Sequence, residues 1–274
     1  MKYLSLNGVL LVYFLLISCQ SKKAGEGEEI PLFKKLSPDT THISFNNKIN
    51  PDDSLSILDY LYYYNGGGVA AGDVNNDGKT DLYFVSNRGE NKLYLNQGTF
   101  RFKDVTQTAG VAGKANWKTG VAMVDINADG WLDIYVSVVG NYKGMIGKNE
   151  LYINNQNGTF TEKAAEYGLD FKGFATQATF FDYDKDGDLD CYILTHAVHS
   201  VNSYDRVAGR AVRDKEAGDY LMRNDKGKFT DVSKQSGIYG AAMGYGLGIV
   251  TADINNDGWD DIYVSNDFHE DDIT

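Results

Sequence analysis

The sequence predicts an all-β protein, a β-propeller built from four-stranded blades, on three observations. A nine-residue motif, D-x-[DN]-x-D-G-x-x-D, occurs four times without gaps. Each copy runs into a short β-branched and aromatic segment rather than a 3.6-period stripe. The 274 residues hold 30 glycines and 19 tyrosines but only 3 prolines, a composition of many turns between short strands. The rest of the composition narrows the class. A net charge of −12 argues against nucleic-acid binding, which needs basic surface. A hydrophobic share of 42% excludes a disordered acidic tail, and 2 cysteines cannot make a disulfide framework.

The first element in chain order is an address. Residues 1–18 carry Lys2 and an apolar run from Leu4 to Ile17. At about 14 residues that run is short of the roughly 20 needed to span a bilayer and fits a signal-peptide core. It ends in Leu16-Ile17-Ser18-Cys19, which resembles the lipobox of bacterial lipoproteins. The resemblance implies lipidation of Cys19. Gln20 stands where an Asp would retain the protein in the inner membrane, so the outer membrane is expected. Residues 19–29 then read as the lipidated cysteine and a flexible tether.

Residues 30–274 carry the repeats. The motif occupies 73–81, 125–133, 182–190 and 253–261, with starts roughly fifty to seventy residues apart. A hard cation such as Ca²⁺ takes about 6–8 oxygens at about 2.3–2.6 Å. Loop positions 1, 3, 5 and 9 offer side-chain oxygens: Asp73, Asn75, Asp77 and Asp81; Asp125, Asn127, Asp129 and Asp133; Asp182, Asp184, Asp186 and Asp190; Asp253, Asn255, Asp257 and Asp261. Position 7 offers a backbone carbonyl, from Lys79, Trp131, Asp188 and Trp259. Gly at position 6 permits the sharp turn. Carboxylates so close repel one another, and a cation resolves the conflict. The loops lack Cys and His, which disfavours Zn²⁺. Four Ca²⁺ are expected, with the third loop tightest by carboxylate count. An EF-hand is excluded, because position 12 holds Phe84, Val136, Ile193 and Val264 where that loop needs a bidentate Glu.

The flanks repeat as well. A Gly-rich apolar strand precedes each loop, beginning at Gly66, Thr119, Gln177 and Gly246. The first three loops are followed, after a second strand, by 91–96, 149–154 and 219–224, then by a Gly turn with an aromatic: Gly98-Thr99-Phe100, Gly158-Thr159-Phe160 and Gly227-Lys228-Phe229. Four strands in about 50 residues make a propeller blade. Gly66–Gly68 lacks the Gly-Lys-Ser/Thr of a phosphate loop and is expected to let strands converge. Cys191 occupies a strand slot held elsewhere by Leu82, Ile134 and Ile262, so it is expected to be buried.

The units resemble FG-GAP/VCBS repeats, the calcium-loop blades of integrin α-chain propellers and many bacterial surface proteins. The stretch Tyr62–Asp73 and the His196/His199 segment are similar to cartilage-acidic-protein-like bacterial lipoproteins. The resemblance implies seven blades with metal loops on one face and ligands on the other. Only four loops are present, and the fourth repeat stops before its third and fourth strands. The chain is therefore expected to be an N-terminal fragment; the alternative is that 30–61 supplies a closing strand to a small ring.

The region 195–218 interrupts the third blade on the expected ligand face. It carries His196, His199, Tyr204, Arg206, Arg210 and Arg213, which suit a carboxylated or sulfated sugar or a protein partner. A stabilising insertion is the other reading of that region. His196 and His199 lack a third metal ligand nearby. His269 to Asp272 reads as an acidic patch or a solvated loop. The expectation for the whole is a calcium-stabilised, lipid-anchored module of the bacterial envelope that binds a glycan or a surface protein. It is not expected to be an enzyme or to bind nucleic acid. The alternatives are a polysaccharide lyase, using His199 or Tyr204 with Arg210, and a structural subunit of an outer-membrane assembly.

Overall fold

The computed structural model describes residues 31–49, 55–198 and 212–267. The signal peptide, Cys19, the tether, His199, Tyr204, Arg206, Arg210 and the acidic patch at 269–272 lie outside the described residues. The chain divides into two units, 1–37 and 38–274. The first is described only over 31–37, which hold no helix or strand. No helix among the described residues is long and apolar enough to cross a membrane.

The described residues of the second unit are all-β apart from three single-turn helices, α1 (Pro38–Thr41), α2 (Thr106–Ala109) and α3 (Ala164–Tyr167). Blade 1 is β1 (Val69–Gly72), β2 (Asp81–Phe84), β3 (Lys92–Asn96) and β4 (Phe102–Asp104). Blade 2 is β5 (Lys118–Val124), β6 (Asp133–Val138), β7 (Glu150–Asn154) and β8 (Phe160–Glu162). Blade 3 is β9 (Ala175–Phe181), β10 (Asp190–Thr195), β11 (Tyr220–Asn224) and β12 (Phe229–Asp231), and β13 (Gly246–Ala252) pairs with β14 (Asp261–Asn266) to begin a fourth. Strands in each blade pair in sequence order, and every pair is antiparallel. Among the described residues the fourth sheet has two strands.

The blades pack face to face. Tyr83, Val85 and Leu93 of blade 1 share a cluster with Ile134, Val136 and Tyr152 of blade 2. Blades 2 and 3 meet through Tyr135, Leu151, Cys191 and Ile193, and blades 3 and 4 through Tyr192, Leu194, Leu221 and Val264. Cys191 is fully buried, as its strand slot implied. The first strands of successive blades, β1, β5, β9 and β13, lie side by side. Glycine permits that approach, since a Cβ at Gly120 would strike the Thr176 carbonyl and one at Gly68 would press on Val121. Thr119 Oγ1 donates to the Ala175 carbonyl (2.8 Å) and Thr176 Oγ1 to the Gly246 carbonyl (3.2 Å), stitching each first strand to the next.

In blade 1 the residue that opens the fourth strand is Phe102, two places beyond the Gly-turn aromatic Phe100. Asn96, Asn154 and Asn224 pair with Phe102, Phe160 and Phe229. In blade 1 the Gly-Thr-Phe triplet comes two residues earlier and forms the turn itself: Gly98, Thr99 and Phe100 all have positive φ, and Phe100 is exposed. The described part of 30–61 holds no strand. Residues 55–65 fold instead into hydrogen-bonded turns, with the Tyr60 N–H on the Ser56 carbonyl and the Tyr63 N–H on the Tyr60 carbonyl (both 3.0 Å). Tyr60, Tyr62 and Tyr63 pack with Trp117, Phe174 and Tyr245, each the eighth residue before the first Asp of its loop. This strap covers the blade ends opposite the motif loops.

Candidate metal loops and the opposite face

Each motif loop joins the first and second strands of its sheet, and all four share a core set of internal hydrogen bonds. The first Asp accepts two backbone N–H groups, from positions 5 and 6: Asp73 from Asp77 and Gly78, Asp125 from Asp129 and Gly130, Asp182 from Asp186 and Gly187, Asp253 from Asp257 and Gly258 (2.7–3.1 Å). The fifth residue accepts from the N–H of the seventh, as Asp129 does from Trp131 (2.9 Å) and Asp257 from Trp259 (2.8 Å). Gly78, Gly130, Gly187 and Gly258 have φ between 80° and 94°, the left-handed region that favours glycine. Position 4 is left-handed too, at Asn76, Ala128, Lys185 and Asn256. The motif gave no sign of this.

The ninth position is different in kind. Asp81, Asp133 and Asp190 are fully buried. Asp133 Oδ2 accepts from the Ile126 N–H (3.2 Å) and Oδ1 from the Asn154 N–H (2.7 Å), so one carboxylate clips the loop to the end of β7. Asp81 and Asp190 repeat the arrangement with Val74 and Asn96, and with Tyr183 and Asn224. Burial pushes Asp133 up to about 7 and Asp190 up to about 6, with carboxylates of the same loop adding to the push, and Asp81 is raised likewise. These loops hold negative charge at an electrostatic cost.

The donor set fits a hard cation. In the third loop, ligand oxygens of Asp182, Asp184 and Asp190 lie within 4.8 Å of one another. Two oxygens across one Ca²⁺ are at most about 5 Å apart, so these three could share one ion. Loops 1, 2 and 4 carry Asn at position 3, an oxygen donor without charge. In loop 1 the Lys79 ammonium sits 2.9 Å from Asp77 Oδ2.

The opposite face places the predicted ligand residues differently. His196 is fully buried, with Nε2 2.7 Å from the Tyr60 hydroxyl and its ring edge-on to Tyr62. It belongs to the aromatic layer under the strap rather than to an open surface, because the strap shields it from solvent. Arg213 is half-buried and spent within blade 3. Its guanidinium donates to the Ile238 carbonyl (3.2 Å) and the Asp219 carbonyl, and lies over the Tyr220 ring.

That arginine replaces a repeated device. In blades 1 and 2 a buried tyrosine donates to a carbonyl and accepts from an asparagine amide: Tyr83 with Val111 and Asn91, Tyr135 with Leu169 and Asn149 (2.7–3.2 Å). In blade 3 the asparagine is Asp219, and Tyr192 donates to it (2.8 Å) while Arg213 takes the matching Ile238 carbonyl. Burial pushes Asp219 up to about 6.

Beside the strap lies a cavity of about 440 Å³, missed by sequence reasoning, with Tyr62, Trp117, Asn87, Thr119 and Gln177 among its lining residues and no charged residue. The signal for it was present. Aligning the repeats backward from each first Asp brings Trp117, Phe174 and Tyr245 of the aromatic layer into one column, and of these Trp117 lines the cavity.

Comparison with known proteins agrees with this architecture. A family model described as FG-GAP-like repeat matches residues 73–136, 138–193 and 207–264. The chain belongs to that family. It is similar to cartilage acidic protein 1 of Xenopus tropicalis (27% identical over 216 residues), of Mus musculus (28% over 213) and of Homo sapiens (27% over 205). Each match covers 74% of this chain and 28–29% of the relative, so the chain spans under a third of the curated relatives it matches. Among solved structures, an Agrocybe aegerita lectin that recognises non-reducing terminal N-acetylglucosamine aligns at a TM-score of 0.32 and 16% identity. That alignment covers 72% of this chain and 59% of the lectin.

Proposed function

We propose that this FG-GAP repeat chain is a calcium-stabilised binding module, held by a lipid on Cys19 at the outer membrane of a bacterium. It presents its non-metal face to a glycan or a protein partner. The single observation that carries the metal half is the fourfold cradle of identical loop hydrogen bonds. Such convergence of oxygens, with buried ninth-position carboxylates pushed above their ordinary range, suits Ca²⁺. The side-chain oxygens of positions 1, 3, 5 and 9 and the position-7 carbonyl would hold each ion. The ion's role is charge neutralisation and loop closure.

The binding half rests on the cavity at the opposite face. Its amide, hydroxyl and aromatic groups with no net charge suit a neutral sugar better than the sulfated or carboxylated one that the arginines first suggested. Two measurements test the proposal. Metal analysis after dialysis against calcium should return about four ions per chain, one per loop. A glycan-array screen in calcium should then give binding that Gln177→Ala weakens. Binding no ion removes the metal half; growth of absorbance from unsaturated sugar products would replace binding with lyase chemistry.

A further inference from the structure

Resting on that calcium reading, we infer that the loops work as two coupled pairs, the first with the second and the third with the fourth, joined by Asn76 and Lys185. Asn76 Nδ2, at position 4 of loop 1, donates to the carbonyl of Gly130, at position 6 of loop 2 (3.1 Å). Lys185 Nζ, at position 4 of loop 3, donates to the carbonyl of Gly258, at position 6 of loop 4. It also sits 3.9 Å from the centroid of the Trp259 ring. Two blades apart, the same place in one loop reaches the same place in the next. Between loops 2 and 3 that place is Ala128, which has the same left-handed backbone and no group to donate.

The chemistry of the accepting peptide gives the link its consequence. The carbonyl of position 6 belongs to the peptide whose N–H, on residue 7, is fixed by the fifth-position carboxylate. Residue 7 then supplies the carbonyl expected on the ion. A donor from the preceding loop therefore fixes the other side of a peptide that must be oriented for binding. In the donating loop, position 4 stands between two ligands, positions 3 and 5. An ion there fixes both neighbours and hence the donor. Filling loop 1 or 3 lowers the ordering cost of filling loop 2 or 4, and the coupling is reciprocal.

The sequence supplies its own reporters. Trp131 and Trp259 occupy position 7 of loops 2 and 4, the accepting member of each pair, and the remaining tryptophan, Trp117, is buried in the opposite face. Terbium, a luminescent stand-in for calcium, is sensitised by an indole beside its site. The full chain carrying Trp259→Phe reports loop 2, and the chain carrying Trp131→Phe reports loop 4. Asn76→Ala should raise the terbium midpoint of loop 2 about fivefold, the effect of about one hydrogen bond, and leave loop 4 unchanged. Asn76→Gln, which keeps an amide donor, should stay close to the parent. Lys185→Ala should weaken loop 4 and leave loop 2 unchanged. Loss of an ammonium beside a cation site tightens binding by electrostatics, so weakening carries the sign of the lost link. Unchanged midpoints in both alanine variants, or equal shifts at both loops, overturn the pairing. Absence of any sensitised signal in the parent chain overturns the metal reading instead.

Discussion

The two ends of the blades are built on opposite plans. At the motif end, four loops repeat one core set of hydrogen bonds, made by the carboxylates of positions 1, 5 and 9. At the other end the blades diverge, although blades 1 and 2 share a tyrosine–asparagine contact. The second-to-third-strand connection lengthens from blade 1 to blade 3, an arginine replaces a tyrosine contact in blade 3, and a tyrosine-rich strap crosses blades that do not themselves supply it. Repetition at one end holds the blades in a common frame. Variation at the other is where individual recognition has room to arise.

The motif end is most vulnerable at the ninth position. Asp133→Ala leaves the buried N–H groups of Ile126 and Asn154 without their acceptor, at about 1–3 kcal/mol each. A loss of about 4 kcal/mol is expected, or about 12 °C in Tm. Thermal unfolding should show this loss in chelator, with a further fall in calcium, because this carboxylate is both part of the frame and an expected ligand. Asp186→Ala should act next most strongly and differently. Its side chain is exposed, so Tm should fall by about 8 °C in calcium and hardly at all in chelator. An equal fall in both media would assign it to the frame rather than to the ion.

Asp219 sets blade 3 apart from the other two. Its folded pKa of about 6 lies above the ordinary 3.8, so the folded state keeps a proton that the unfolded chain has lost over this window. The stability it contributes is fully present below about pH 4 and is lost as pH rises through about 6, to the extent of about 2 kcal/mol. Asp219→Asn restores the residue of blades 1 and 2 and should flatten that part of the pH profile. Denaturant unfolding between pH 4 and 7 in saturating calcium, with the loop carboxylates occupied, reads it. A profile unchanged by the substitution would place the proton elsewhere. The smallest effect is expected from Tyr60→Phe, which removes the hydroxyl 2.7 Å from His196 Nε2. It should cost about 1 kcal/mol with no dependence on calcium, because the strap lies at the far end from the metal loops.

The motif end was legible because its spacing is dictated by chemistry. Once Asp73, Asp125, Asp182 and Asp253 are aligned, the loops, the strands on either side and the burial of Cys191 follow. The double role of Asp81, Asp133 and Asp190 was not legible, because their partners Asn96, Asn154 and Asn224 are distant in sequence and are reached through the backbone. The different places of Phe100 and Phe160 were hidden for a related reason. Identical Gly-Thr-Phe triplets in blades 1 and 2 occupy different turn positions, and only strand pairing tells a turn residue from a strand residue. At the other end, residues 55–65 have neither period to mark them, so Tyr60 and Tyr63 gave no warning that they would roof the blades. His196 and Arg213 were offered as ligand residues because they lie on the insertion of the third blade; the structure gives both an internal partner, which suits the stabilising-insertion reading of these two.

Thermal unfolding of the protein in millimolar calcium and in excess chelator asks whether cations bound in repeated loops hold the blades in one frame. One cooperative transition is expected, with a midpoint that rises by roughly 10 °C or more in calcium, as several ions binding only the folded state require. The same midpoint in both conditions would contradict that frame.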